Sequence, residues 1–158
     1  MPQRAESGAS PSSTPSELGA SDDTALWQDT LAAEHAVIWS YGLVGATGDL
    51  AASADSALAS HRQRRAICLE VIADLGAEAV TSAPSYDEPR PRNTDAARQL
   101  AGRLESAASA AYLALSSSAD RSTRLLASRW LRESAVTSAL WTGRAPALPG
   151  FDADELDP

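Results

Sequence analysis

The chain of 158 residues contains no lysine, and all 13 of its basic residues are arginine. It has a single cysteine, Cys68, so no intrachain disulfide framework, CxxC redox pair or cysteine-based zinc site can form. Val and Ile together number 8, against 33 Ala and 18 Leu, too few strand-favouring residues for an all-β fold. No apolar run approaches the ~20 residues a membrane span needs, and no basic segment leads into an apolar one as in a secretory signal. A formal charge of −8 argues against nucleic acid or an anionic membrane as partner. A phosphate loop, a Gly-x-Ser-x-Gly elbow and a dinucleotide fingerprint are all missing, since Gly42, Gly45 and Gly48 follow a helical stretch and not a strand. The expectation is a cytoplasmic protein of a reducing compartment.

The charge is unevenly placed. The first 23 residues hold one Arg and four acids, and residues 146–158 hold four acids and no base. Between them, 12 Arg face 13 acids, so the body is nearly neutral. Residues 1–22, rich in Ser, Pro, Gly and Ala, have almost nothing large and apolar to offset the entropy of ordering, and they are expected to be a disordered tail. Residues 146–158 are expected to be an acidic tail, leaving one domain over 23–145.

Four amphipathic stretches fill that domain. The first, over about 23–45, carries Trp27, Leu31, Ile38 and Tyr41 on one face, with Asp22 and Asp23 at its start. The second, over about 50–75, carries Leu58, Cys68, Ile72 and Leu75 and stops at Gly76. A third follows the cap Asn93-Thr94-Asp95 and carries Leu100, Leu104, Ala111 and Leu115, and a fourth from about Asp120 carries Leu126, Trp130, Thr137, Leu140 and Trp141. The first and last connections are short, which makes two antiparallel hairpins. The middle connection contains Pro84, Pro89 and Pro91 and is long enough, at ~3.3 Å per residue, to run the length of a helix. The fold class expected is all-α, a four-helix bundle of two hairpins joined by a long crossover, with a merely flexible loop as the alternative for the middle segment.

An ionisable group interrupts three stripes, at Glu34, His61 and Glu133, and a fourth, Glu105, sits one position off the third stripe on the adjoining row Ala101, Ala108 and Tyr112. Residues equidistant from a hairpin turn lie level. Glu34 and His61 flank Thr47-Gly48 evenly, and Glu105 and Glu133 do the same about Ser118-Ala119-Asp120, so all four are expected near mid-bundle. Carboxylates and a neutral imidazole are what a bundle uses to hold iron, manganese or zinc. The same pattern arises from a buried polar network in which guanidinium neutralises the carboxylates, with Arg62, Arg64, Arg65 and Arg129 all within reach. His35 points about 100° away from Glu34, toward a partner or a supporting contact, and Trp39 and Trp141 read as packing or interface anchors.

The run Leu31-Ala32-Ala33-Glu34-His35-Ala36-Val37-Ile38-Trp39-Ser40-Tyr41-Gly42-Leu43-Val44-Gly45-Ala46, with His61-Arg62-Gln63-Arg64-Arg65, Leu104-Glu105 and Tyr112, resembles a ferritin-like domain of unknown function common in high-GC bacteria. Tyr86, Pro89 and Pro91 in the crossover and Pro149-Gly150 after the last helix fit the same pattern. The resemblance spans about 25–151 and implies a ferritin-like four-helix bundle with no settled activity. The ferritin-like superfamily places a Glu on one helix and Glu-x-x-His on the next, twice over. Here Glu34 and Glu105 take the single-Glu places and His61 the first His, but Leu58 replaces the Glu before it and Val136 stands where the second His belongs. Two of six ligands are absent, which argues against a full di-iron centre.

Two readings follow. In the first, a degenerate, non-catalytic bundle works through binding or assembly as a homodimer, with Glu34, His61, Arg65, Glu105 and Glu133 in a buried network. In the second, Glu34, His61, Glu105 and Glu133 hold one iron or manganese ion in an oxidoreductase or storage protein.

Overall fold

The structure, a computed structural model, describes residues 15–145 and 148–151, with side chains from Asp23 onward. Four helices make up the fold, with no strand among the described residues: α1 (Pro15–Gly45), α2 (Ala51–Asp74), α3 (Thr94–Leu115) and α4 (Arg121–Thr142). Helix α1 begins eight residues before the expected start, so the tail expected over 1–22 is helical from Pro15, and its first 14 residues lie outside the described ones. The acidic stretch 152–158 also lies outside them. No described helix is long and apolar enough to cross a membrane.

Local chemistry sets the ends. A 3₁₀ turn, Gly48–Leu50, joins α1 to α2. The Asn93 side chain accepts a hydrogen bond from the Ala96 N–H at 2.8 Å to start α3, and Asp120 accepts one from the Thr123 N–H at 2.7 Å to start α4. Gly76 and Gly143 adopt positive φ where α2 and α4 stop.

The middle segment is a true crossover pinned along α1. The Gln28 side-chain amide donates to the Glu78 carbonyl at 2.7 Å and accepts from the Val80 N–H at 2.8 Å. The His35 Nε2–H donates to the Val80 carbonyl at 3.2 Å, Trp39 packs on Tyr86 with ring centroids 5.8 Å apart, and Gly48 lies against Thr94 at the start of α3. The chain therefore climbs alongside α1 from Gln28 to Gly48, ~30 Å at the helical rise. Trp39 and His35 serve this contact. At the opposite end, the Ala119 N–H donates to Asp23 at 3.1 Å. Helix α1 is thus antiparallel to both α2 and α3, and α4 is antiparallel to α3.

Close packing joins α1 to α2, α1 to α3 and α3 to α4, and α2 and α4 make no comparable contact. The core runs through Trp27, Leu31, Val37, Tyr41 and Val44 of α1, Ile72 of α2, Leu100 and Tyr112 of α3, and Trp130 of α4. Trp27 meets Trp130 edge to face at 6.1 Å, a geometry worth about 1 kcal/mol beyond its buried area. Several expected stripe positions are rotated outward: Val37 is buried in place of Ile38, Leu75 is 42% exposed and Leu140 is 76% exposed. On α4 the buried row is Ala127, Trp130, Ser134, Ser138 and Trp141, because this helix packs mainly on α3, with Trp130 reaching Trp27 and Trp141 reaching Tyr41 of α1.

Gly48 has φ +60°, and a Cβ built there would lie 2.7 Å from the Thr94 hydroxyl. Left-handed strain and the clash act together, so Gly48→Ala is expected to lower stability by about 1–3 kcal/mol in urea denaturation, with helix content unchanged.

Candidate functional site

Helices α1, α2 and α3 each turn an ionisable side chain to the same level of the core. Glu34, His61 and Glu105 are each 1% exposed. His61 stands between the two carboxylates: its Nδ1 is 2.8 Å from Glu34 Oε2 and its Nε2 is 3.2 Å from Glu105 Oε1. A ring that meets an acceptor at each nitrogen is best satisfied as imidazolium, with both N–H groups donating. Burial alone would drive the proton off, but the hydrogen bonds and charges of Glu105 and Glu34 outweigh it and raise the His61 pKa to about 9. Burial likewise opposes ionisation of Glu105, yet His61 and then Tyr41 hold its carboxyl below the usual range.

Two tyrosines close the network crosswise. The Tyr112 hydroxyl of α3 donates to Glu34 Oε1 of α1. The Tyr41 hydroxyl of α1 donates to Glu105 Oε1 of α3 at 2.5 Å. Each Tyr lies seven residues after the Glu of its own helix, and the antiparallel register of α1 and α3 brings each Glu to the other helix's Tyr. Burial, reinforced by the neighbouring carboxylate, pushes both phenols far above their ordinary range, so both remain protonated donors. Beyond them, the Trp141 Nε1–H donates to the Tyr41 oxygen and Arg64 Nη1 donates to the Tyr112 oxygen, each at 3.1 Å.

Arg64, not Arg65, supplies the second cation. It is 5% exposed, and the same Nη1 also donates to the Ser134 hydroxyl at 3.1 Å. Burial works against its charge, but Tyr112 and the two carboxylates hold the proton more tightly still. The buried row of α2 is Ala54, Ala57, His61, Arg64, Cys68 and Ile72, so His61, Cys68 and Ile72 lie inward as expected, while Ala57 and Arg64 are buried in place of Leu58 and Arg65, and Arg65 falls outside the network. Glu133 also falls outside the centre: its carboxylate, 41% exposed, is held by Arg129 Nε at 2.8 Å and Arg64 Nη2 at 3.2 Å. Ser134, the next residue, occupies the inward place expected for it.

Of the four residues singled out as ligands, three converge and Glu133 does not. Among the described residues, no group of three or more His, Cys, Asp or Glu is placed to hold a metal ion. Both nitrogens of His61 are spent on carboxylates, and Glu105 Oε2 is the one carboxylate oxygen of the buried trio without a well-formed hydrogen bond, although the Ser134 hydroxyl also helps hold that carboxyl ionised. One free acceptor falls short of the several ligands an iron or manganese ion takes, so this donor set does not fit such an ion as it stands. Tyr41, Tyr112, Arg64 and Ser134 were missed as site residues. The repeated Glu-x6-Tyr spacing on α1 and α3 was the available signal.

The proton of His61 is held more tightly in the folded chain than in the unfolded one, where its pKa is near 6.5. Its stabilising contribution is therefore complete below about pH 6.5 and is lost as pH rises through about 9. Urea titrations at pH 6, 8 and 10 should show a fall on the order of 3 kcal/mol over that window, absent in His61→Gln. The lowered carboxyl of Glu105 acts in the opposite sense, with stability present above its ordinary pKa and lost on further acidification.

Residues 26–153 match the family model DUF4439, a domain of unknown function. Among solved structures the chain is similar to a conserved hypothetical protein, rv2844, from Mycobacterium tuberculosis, with 32% identity and a TM-score of 0.74. That match covers 85% of this chain and 99% of the other. Nothing among the curated proteins matches the chain. The matched segment takes in every residue of the buried network, and the chain belongs to the DUF4439 family, a domain of unknown function.

Proposed function

We propose that the chain is a ferritin-like bundle in which protein cations stand where metal ions would, and that it acts through binding or assembly and not through redox catalysis. The order of helix directions, with a crossover climbing the full length of α1, supports the ferritin-like layout. The observation that carries the functional reading is the placement of His61 and Arg64. Both ring nitrogens of His61 face carboxylates, and Arg64 is joined to Glu34 through the Tyr112 hydroxyl. Two cations then offset Glu34 and Glu105 with no ion required. The places of the missing ligands agree with this: Leu58 packs on the core, and Val136 is 56% exposed on the outside of α4.

A second reading keeps one iron or manganese ion near Glu105, with His61 and Glu34 reorganised around it. The buried Oε2 of Glu105, which makes no well-formed hydrogen bond, is what favours it. Elemental analysis of chain purified without chelator decides between the two. The expected result is far less than one iron or manganese per chain and no rise in thermal midpoint on adding either ion. Stoichiometric metal that is lost in Glu34→Ala would overturn the first reading.

The assembly in this proposal is a homodimer. Leu125, Val136 and Leu140 stand 59%, 56% and 76% exposed along the outer face of α4, an apolar surface that a second copy would cover. Light scattering is expected to give a dimer mass for the wild type and a monomer mass for Leu140→Glu at equal helix content. A wild-type monomer at tens of micromolar would refute the dimer.

A further inference from the structure

The side of the bundle between α2 and α4 is open, and it leads to the outer half of Arg64. Ser60, Gln63 and Ile67 of α2 face Leu126, Arg129 and Trp130 of α4 across a groove of about 320 Å³ with Arg64 and Glu133 in its lining, near the lower end of the range for small-molecule sites. Arg64 divides its donors between two environments. Nη1 bonds inward to Tyr112 and Ser134, and Nη2 is aimed outward at Glu133 Oε2, 3.2 Å away. Arg129 holds the other oxygen of the same carboxylate at 2.8 Å. One carboxylate is thus clamped by guanidinium groups from opposite walls of a groove that also carries an indole and two aliphatic side chains.

The carboxylate in that clamp is replaceable. Glu133 is partly exposed and lies one turn after Arg129 on α4, so a change of rotamer carries it into water without disturbing the helix. The core does not depend on its charge, because Glu34 and Glu105 are already offset by His61 and Arg64. We propose that the groove between α2 and α4 binds a small monocarboxylate with an apolar body. Its carboxylate takes the place of that of Glu133 between Arg64 and Arg129, and its hydrocarbon lies on Ile67, Leu126 and Trp130. Two guanidinium groups match a single carboxylate, which accepts from both at once. The inference deepens the binding role proposed above and rests on it, and Glu133 is then the chain's own competing occupant.

Calorimetric titration of the full chain with octanoate tests this. Glu133→Ala is expected to bind octanoate at least tenfold more tightly than the wild type does, and adding Arg129→Gln to that variant is expected to abolish the gain. Octanol, of the same length without the charge, is expected to bind Glu133→Ala at least tenfold more weakly than octanoate. Equal octanoate affinity in wild type and Glu133→Ala, no measurable binding to either, or equal affinity for octanol overturns the proposal. Should Glu133→Ala lose helix content, Glu133→Gln replaces it in the same series. A metal-free chain that ignores octanoate loses the groove site alone, whereas stoichiometric metal removes the reading beneath it.

Discussion

The cost of burying Glu34 and Glu105 governs how these helices can be arranged. Each carboxylate is almost wholly removed from water, and an unpartnered buried charge costs several kcal/mol, a large part of the stability of a domain this size. Partners on the same helix cannot meet that cost, since both side chains point away from their own backbone into the centre. His61 and Arg64 from α2 and a tyrosine from the facing helix must all arrive at one level. The relative heights of α1, α2 and α3 are thereby fixed more tightly than small Ala side chains, which interdigitate weakly, would fix them.

The same cation shapes the exterior. A guanidinium reaching between α2 and α4 takes the place that apolar side chains would need to close that side, and the two helices stand apart around it. Stability and surface chemistry therefore meet in one residue. The inner nitrogen of Arg64 completes the core, and its outer nitrogen, with Arg129, gives the groove its cationic pair.

Much of this was legible in the amino-acid order. The four helices, the cap at Asn93, the start of α4 near Asp120, the stop at Gly76 and the length of the crossover all follow from local signals that tertiary contacts did not override. The convergence of Glu34, His61 and Glu105 was readable from their distances to the two turns. What failed was rotation about the helix axes. Positions three and four residues on from a buried residue are close in angle, so His61 is followed inward equally well by Arg64 or Arg65. The choice depends on where the neighbouring helix lies. On α4 the same ambiguity placed Glu133 inward, whereas docking against α3 turns in Ser134 and leaves Leu140 in solvent. The two tyrosines share a seven-residue offset from Glu34 and Glu105, but which carboxylate each phenol meets depends on the direction of the facing helix, which local sequence does not state.

The crosswise Glu and Tyr pairs of α1 and α3 also bear on which way the chain can thread. In the antiparallel arrangement, equal seven-residue spacings on the two helices bring Glu34 to Tyr112 and Glu105 to Tyr41. Were α3 to run the other way, as it would if the middle segment were a tight turn, the same spacings would set carboxylate beside carboxylate and phenol beside phenol. An apolar core of Ala and Leu would tolerate either threading almost equally. The polar centre penalises the wrong one by like-charge repulsion in a dry interior, so these four side chains discriminate between topologies, a task separate from holding the correct one together.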